Sequence, residues 1–208
     1  MHITVISRLY GQEASSYVSI LRGLSRARRF AMPIYDPVRH AIVNEIRDPG
    51  SGKQDLHRRM ASLNRYPNAS AFKAANEQAF DVFLSTFAPD FTELVADFVR
   101  PMALAPVTLE GYPIEGRFHF SAKDRRGATR YVYIQAAEAD PAALQALSEL
   151  LGVIAEQRHD SPRDTAWLMD LRGAQMIQPP KRNDRVRKRI VGVMEIASML
   201  MERYADAA

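Results

Sequence analysis

The chain has 208 residues, 47% apolar and 25% charged, with a mean hydropathy of −0.26; that suits one domain, or one domain with a helical extension, and excludes a disordered chain. Cysteine is absent, which excludes thiol catalysis, disulfides and cysteine-ligated zinc, and no apolar run approaches the roughly 18 residues that cross a bilayer. The net charge is +4, with 23 of the 28 cationic side chains Arg, the better phosphate ligand because its planar fork makes paired hydrogen bonds.

In chain order, the first residues lack the basic-then-apolar layout of a signal peptide, so a cytoplasmic protein is expected. Glu13 to Phe30 reads as an amphipathic helix. Tyr17, Ile20, Leu24 and Ala27 share one face, and Arg22, Arg26 and Arg29 gather opposite, within about 60° of one another. From Met32 to Tyr66 prolines break the pattern. Pro49-Gly-Ser-Gly52 predicts a turn, and Val38 to Ile46 is left open between strand and helix. Ser70 to Phe87 predicts a second helix, with Ser70 as cap and Phe72, Ala79, Phe83 and Phe87 inward. Pro89-Asp90 predicts the start of a third, burying Phe91, Leu94, Val95 and Phe98 and ending at Pro101.

The texture changes near Leu104. Val107 to Glu110 and Ile114 to Ser121 predict strands; in the second, Ile114, Gly116, Phe118 and Phe120 alternate with Glu115, Arg117, His119 and Ser121. Asp124-Arg-Arg-Gly127 predicts a hairpin turn and Thr129 to Ala136 its return strand. Asp140-Pro141 predicts a helix start, a cap followed by Pro at the first helical position, with Leu144, Leu147, Leu151 and Ile154 as the apolar stripe. Thr165 to Leu171 and Ala174 to Gln178 predict a strand pair, halted by Pro179-Pro180. Val186, Ile190, Val193, Ala197, Leu200 and Tyr204 define a final helix. The expected fold is α+β: a small mixed sheet in the order strand-hairpin, helix, strand, helix, preceded by a helical N-terminal half. Residues 1–103 form the helical region and 104–208 the α/β core, within one compact unit.

Motifs for catalysis are scarce. Gly52-Lys53 fails as a phosphate loop, which would need Gly in place of Arg47 and Ser or Thr in place of Gln54. His2, His40, His57, His119 and His159 have no metal-ligand spacing, and no Gly-x-Ser-x-Gly elbow exists. No metal or cofactor is expected. Charge is uneven: residues 1–67 sum to +6, 68–110 to −4, 111–160 to −1 and 161–208 to +3. Codon usage in a GC-rich genome is the plainer source of the abundant Arg and Ala. The last helix nevertheless opens on Lys181, Arg182, Arg185, Arg187, Lys188 and Arg189 with only Asp184 opposing them. Cations at this end of a helix are disfavoured by a few tenths of a kcal/mol or more each. Nucleic-acid phosphate would relieve the conflict, as would pairing with the acidic 68–110 stretch.

The layout of residues 104–204 resembles the PD-(D/E)xK nuclease superfamily, particularly its RecB-like exonuclease branch. In that family a helix supplies a Glu, a Gly-x-x-Asp strand supplies a metal-binding Asp, and the return strand of a hairpin supplies Asp or Glu, one residue, then Lys; a helix with Gln-x-x-x-Tyr and a further strand follow. Gly116-Arg-Phe-His119 stands where Gly-x-x-Asp would, and Arg130 to Ala136 where the Asp-x-Lys strand would. Asp140 to Gln157 takes the place of the Gln helix, and Glu77 that of the helical Glu. The chemistry departs: His119 replaces the Asp, either Tyr133 and Gln135 or Ile134 and Ala136 hold the next two positions, and Gln145 is followed four residues later by Glu149.

The resemblance implies a nuclease-like protein without the usual metal-binding carboxylates; with the basic surfaces at both chain ends, the expectation is nucleic-acid binding without catalysis, with Arg22, Arg26, Arg29, Arg185, Arg187, Lys188 and Arg189 on phosphate. One alternative is an active nuclease or hydrolase with a non-standard site, using His119 as general base or metal ligand near Glu115, Glu77 and Tyr133, with Gln135 a further candidate and Tyr131 or Tyr133 beside His119 according to register. Another is a protein-interaction or scaffold protein whose basic ends meet an acidic partner or a second copy. No membrane partner is expected.

Overall fold

In the computed structural model, residues 3–10, 12–21, 34–99, 107–114, 118–157, 165–180 and 184–205 are described. Ile3–Leu9 forms α1 although it opens on four β-branched residues; burial of Ile6 and Leu9 outweighs that weak propensity. Residues 14–21 are helical, with Tyr17 buried, as expected for the start of the Glu13–Phe30 helix. The remainder of that helix, with Arg22, Arg26 and Arg29, lies outside the described residues.

The open stretch Val38–Ile46 is helix: α2 spans Asp36–Arg47, with Pro37 at its start and Val38, Ala41 and Ile42 buried. A turn at residues 48–51, as predicted, leads into α3, Gly52–Met60, which the sequence reading missed. Its polar composition hides it, because only Gly52, Asp55, Leu56 and Met60 turn inward. Gly52 is required where α3 crosses α2: a Cβ there would lie 2.7 Å from the Ala41 carbonyl oxygen.

The helix α4, Ala69–Val82, follows Asn68 rather than Ser70, and no side chain caps it. Ala79, Phe83 and Phe87 are buried as expected, and Phe72 only partly. Pro89 does not open a separate helix. One π turn, Phe83–Phe87, carries α4 into α5, Ala88–Leu94. Proline has no N–H to bond back one turn, and the wider turn just before it absorbs the mismatch. Val95–Val99 is a strand, β1, not the predicted end of that helix. Pairing with a waiting sheet edge overrides local helical pattern there.

Val107–Leu109 (β2) and Tyr112–Ile114 (β3) make a small hairpin sheet of their own. The expected strand Ile114–Ser121 is therefore split: Ile114 ends β3, residues 115–117 lie outside the described set, and β4 runs Phe120–Asp124. Phe118 and Phe120 do not share a face, because the chain bends at His119 and sends them into opposite cores. Thr129–Gln135 (β5) returns from a turn in which Gly127 has φ +75°, where a side chain would be strained. Pro141–Glu156 (α6) begins as predicted, the Asp140 carboxylate accepting from the Ala143 N–H at 2.8 Å. Thr165–Asp170 (β6), Gln175–Ile177 (β7) and Asp184–Ala205 (α7) complete the chain.

The main sheet is mixed, ordered β1-β4-β5-β6-β7, and only β5 and β6 are parallel, joined through α6. The fold is α+β with helices in the N-terminal half, as the sequence predicts. Both sheet faces are covered, which is why β5 and β6 read as near-continuous apolar runs. Tyr131, Tyr133, Ala166 and Leu168 face a core closed by α1, α6 and α7. Val132, Ile134, Trp167 and Met169 face a second core closed by α2 to α5, rich in Phe80, Phe83, Phe87 and Phe91. No described helix is long and apolar enough to cross a membrane.

Candidate functional site

The β4–β5 hairpin brings three of the four catalytic candidates together. Phe120 pairs with Val132, so the residue before it, His119, meets Tyr133 and not Tyr131. The two rings lie 4.7 Å apart, centroid to centroid. The His119 N–H donates to the Val132 carbonyl at 2.8 Å, and its Nδ1 accepts from the Ile134 N–H at 2.8 Å. The imidazole thus takes the place of a backbone carbonyl in the ladder, which requires Nδ1 unprotonated. Without it the Ile134 N–H would be left unpaired under the sheet, at about 1–3 kcal/mol.

Gln135 alternates onto the same face as Tyr133. Its Nε2 donates to the Ala137 carbonyl at 2.8 Å. Ile134 and Ala136 are fully buried in the opposite core. Of the two pairs weighed in sequence, Tyr133 and Gln135 are the one on the face that His119 meets. Glu77 does not join them. It lies on α4, beyond the other face of the sheet, 3.8 Å from His57 Nε2; Glu115 is outside the described residues.

Beside Gln135 in the parallel strand stands Asp170, 3% exposed. Sequence reasoning missed it. Its carboxylate accepts from the Arg172 N–H at 3.1 Å and from Gln175 Nε2 at 3.3 Å, so it fastens the β6–β7 turn. A magnesium ion demands several anionic oxygens. The imidazole, phenol and amide in this row, each already engaged by the protein, do not fit one. Among the described residues no cluster of three or more His, Asp or Glu could hold a metal.

At the opposite end of the hairpin, Asp124 accepts from the Arg126 and Ala128 N–H groups and from Arg130. Burial raises its carboxyl, and those three donors more than offset it, leaving the pKa below the usual carboxylate value.

The basic start of α7 is partly answered from within. Arg187 Nε lies 3.4 Å from Glu110 Oε1, an ion pair without a hydrogen bond. Glu110 belongs to the acidic 68–110 stretch, so that pairing is realised in one instance. The Arg189 guanidinium sits 4.5 Å above the Tyr10 ring. Tyr10 donates its hydroxyl to Glu149, which also accepts from Gln145 at 2.9 Å. Burial first, then Glu149, pushes Tyr10 up to about 12. Arg185 and Lys188 are exposed.

A third polar feature lies between α2 and α3. A groove of about 510 Å³ is lined by Asn44, Arg47, Asp48, Ser51, Gln54, Asp55 and Arg58. The loop at its end is the one that resembles a phosphate loop. Its amides already hold an anion, the Glu45 carboxylate, which accepts from Gly50 N–H at 2.7 Å and Gly52 N–H at 2.8 Å. Asp55, 5% exposed, pairs with Arg58 and with Arg59 Nε at 2.6 Å. Its burial raises the carboxyl, but the two guanidinium groups outweigh that and lower it overall. The spacing Asp-x-x-Arg-Arg was the legible signal for this cluster, since three and four residues on is one helix turn.

Comparison with protein-family models, with curated proteins and with solved structures found no match.

Proposed function

We propose that this chain binds nucleic acid without cleaving it, on a nuclease-like core whose metal-holding positions carry no carboxylate. The observation that carries the reading is the row His119, Tyr133 and Gln135 on one face of a hairpin that continues through α6 into a parallel strand. These are the positions where the PD-(D/E)xK resemblance would place metal-binding carboxylates and a Lys. With Nδ1 of His119 and Nε2 of Gln135 engaged by backbone, they supply neither a metal cage nor a positioned lysine. The Arg-heavy basic balance supports the binding half. Arg22, Arg26, Arg29, Arg185 and Lys188 supply phosphate contacts, which set affinity rather than sequence choice. Arg187 and Arg189 contribute as well, from positions where Glu110 and Tyr10 engage them.

A fluorescence titration with labelled single- and double-stranded oligonucleotides tests this. Affinity is expected to fall steeply with salt, and the oligonucleotide to survive incubation with Mg²⁺ or Mn²⁺. Absent or salt-insensitive binding overturns the reading. Metal-dependent cleavage lost in His119→Ala would replace it with the enzyme alternative. Sedimentation at several salt concentrations, without polynucleotide, separates it from self-association. A cytoplasmic location belongs to the same reading and is checked by cell fractionation.

A further inference from the structure

We infer that the groove between α2 and α3 is where a nucleic-acid strand lies, an assignment that rests on the binding function proposed above and gives it a surface not anticipated from the sequence. The groove's lining sets two guanidinium groups, Arg47 and Arg58, and two amides, Asn44 and Gln54, beside two carboxylates, Asp48 and Asp55; the Ser51 hydroxyl is already donated to the Asn44 carbonyl at 3.2 Å. Its two carboxylates differ in standing. Both Asp55 oxygens are taken by Arg58 and Arg59, which leaves Asp48 as the acceptor available to a sugar hydroxyl. Arg47 and Gln54 have no side-chain partner among the described residues, so binding a phosphate there breaks no internal contact. The volume is in the range of small-ligand sites, enough for one nucleotide-sized unit.

Cations beyond the groove point to a polymer and not to a free nucleotide. The solvent side of α3 carries Lys53, Gln54, His57 and Arg58, with Glu77 of α4 beside His57 and Asp55 paired to Arg58, so Lys53 is the cation there without an acidic partner among the described residues. The exposed Arg65, its guanidinium 5.0 Å from the Tyr66 ring, follows beyond the end of α3. From Lys53 to Met60 α3 rises roughly 10 Å, more than one phosphate repeat, before a 3-10 turn, Ala61–Arg65, brings in Arg65. An Arg beside an aromatic ring is also the pairing on which bases stack. This arm lies on the α2–α5 side of the sheet, whereas α7 closes the other side.

The test is fluorescence anisotropy with labelled oligothymidylate and oligouridylate across a salt series, using the full chain. Arg47→Ala with Lys53→Ala removes two cations that hold no internal contact. It is expected to weaken binding about tenfold or more and to lower the salt slope by about 1.4, at roughly 0.7 per single-strand phosphate contact. Arg47→Glu alone is expected to act in the same direction, which guards against a folding artefact in the double variant; unchanged melting temperatures check both. If the wild type binds and both variants bind within twofold of it, the groove assignment is overturned while the nucleic-acid function stands. If the wild type binds neither oligonucleotide, the function itself falls and the groove with it.

Discussion

Single side chains here do backbone work. His119, singled out in sequence as a base or metal ligand, substitutes for a strand carbonyl by accepting from the Ile134 N–H. Glu45 plays a similar part for the Gly50 and Gly52 amides. Neither role is legible from residue type, because each depends on which backbone donor the fold leaves unpaired. Asp124 yields a prediction at this scale. Its folded pKa is below the unfolded value of about 3.9, so the native state binds fewer protons there. The stabilisation is present above that value and is lost as pH falls through the lowered folded value. Asp55 adds to it with the same sign. Urea denaturation followed downward from neutral pH should show stability dropping more steeply in the wild type than in Asp124→Asn. Parallel curves would mean that the turn carboxylate is not coupled to folding.

At the level of elements, sequence legibility followed burial pattern. The helix α6 was clear because Asp140, Pro141 and the Leu144, Leu147, Leu151 and Ile154 stripe agree with one another. The hairpin turn and its return strand β5 are legible for the same reason, with Gly127 where the turn demands positive φ, whereas the strand before the turn starts later than its alternation suggests because the chain bends at His119. By contrast, α3 was invisible because its inward face is narrow and includes the ion-paired Asp55. The strand β1 reads as helix in the sequence because its partner is more than twenty residues downstream, and long-range pairing leaves no local trace. The α2–α3 crossing supplies the second prediction. Gly52→Ala would push a methyl group to within 2.7 Å of the Ala41 carbonyl and of Glu45. The expected cost is about 1–3 kcal/mol, seen as a lowered urea midpoint and weaker oligonucleotide binding together. An unchanged midpoint would show that the two helices part without penalty.

For the molecule as a whole, the sheet ties the two halves of the chain together. The strand β1 pairs with β4, and α2 to α5 cover the sheet face that carries Phe120, Val132, Ile134, Trp167 and Met169. A fragment of residues 104–208 would leave that face bare. It is expected to be unfolded or aggregated by circular dichroism and light scattering, and a monomeric, cooperatively melting fragment would contradict this account. The candidate site was legible only in part for the same reason. The hairpin row could be placed from local pattern, whereas the groove is made by two helices whose positions depend on the distant sheet. Order of synthesis then matters. The phenylalanines of α4 and α5 leave the ribosome well before β6 exists to receive them. At about 5–20 residues per second, the interval from Phe91 to Met169 is roughly 4–16 s, during which the aromatic half of the second core has nothing to close against. The nascent chain therefore carries uncovered aromatic helix faces throughout that interval.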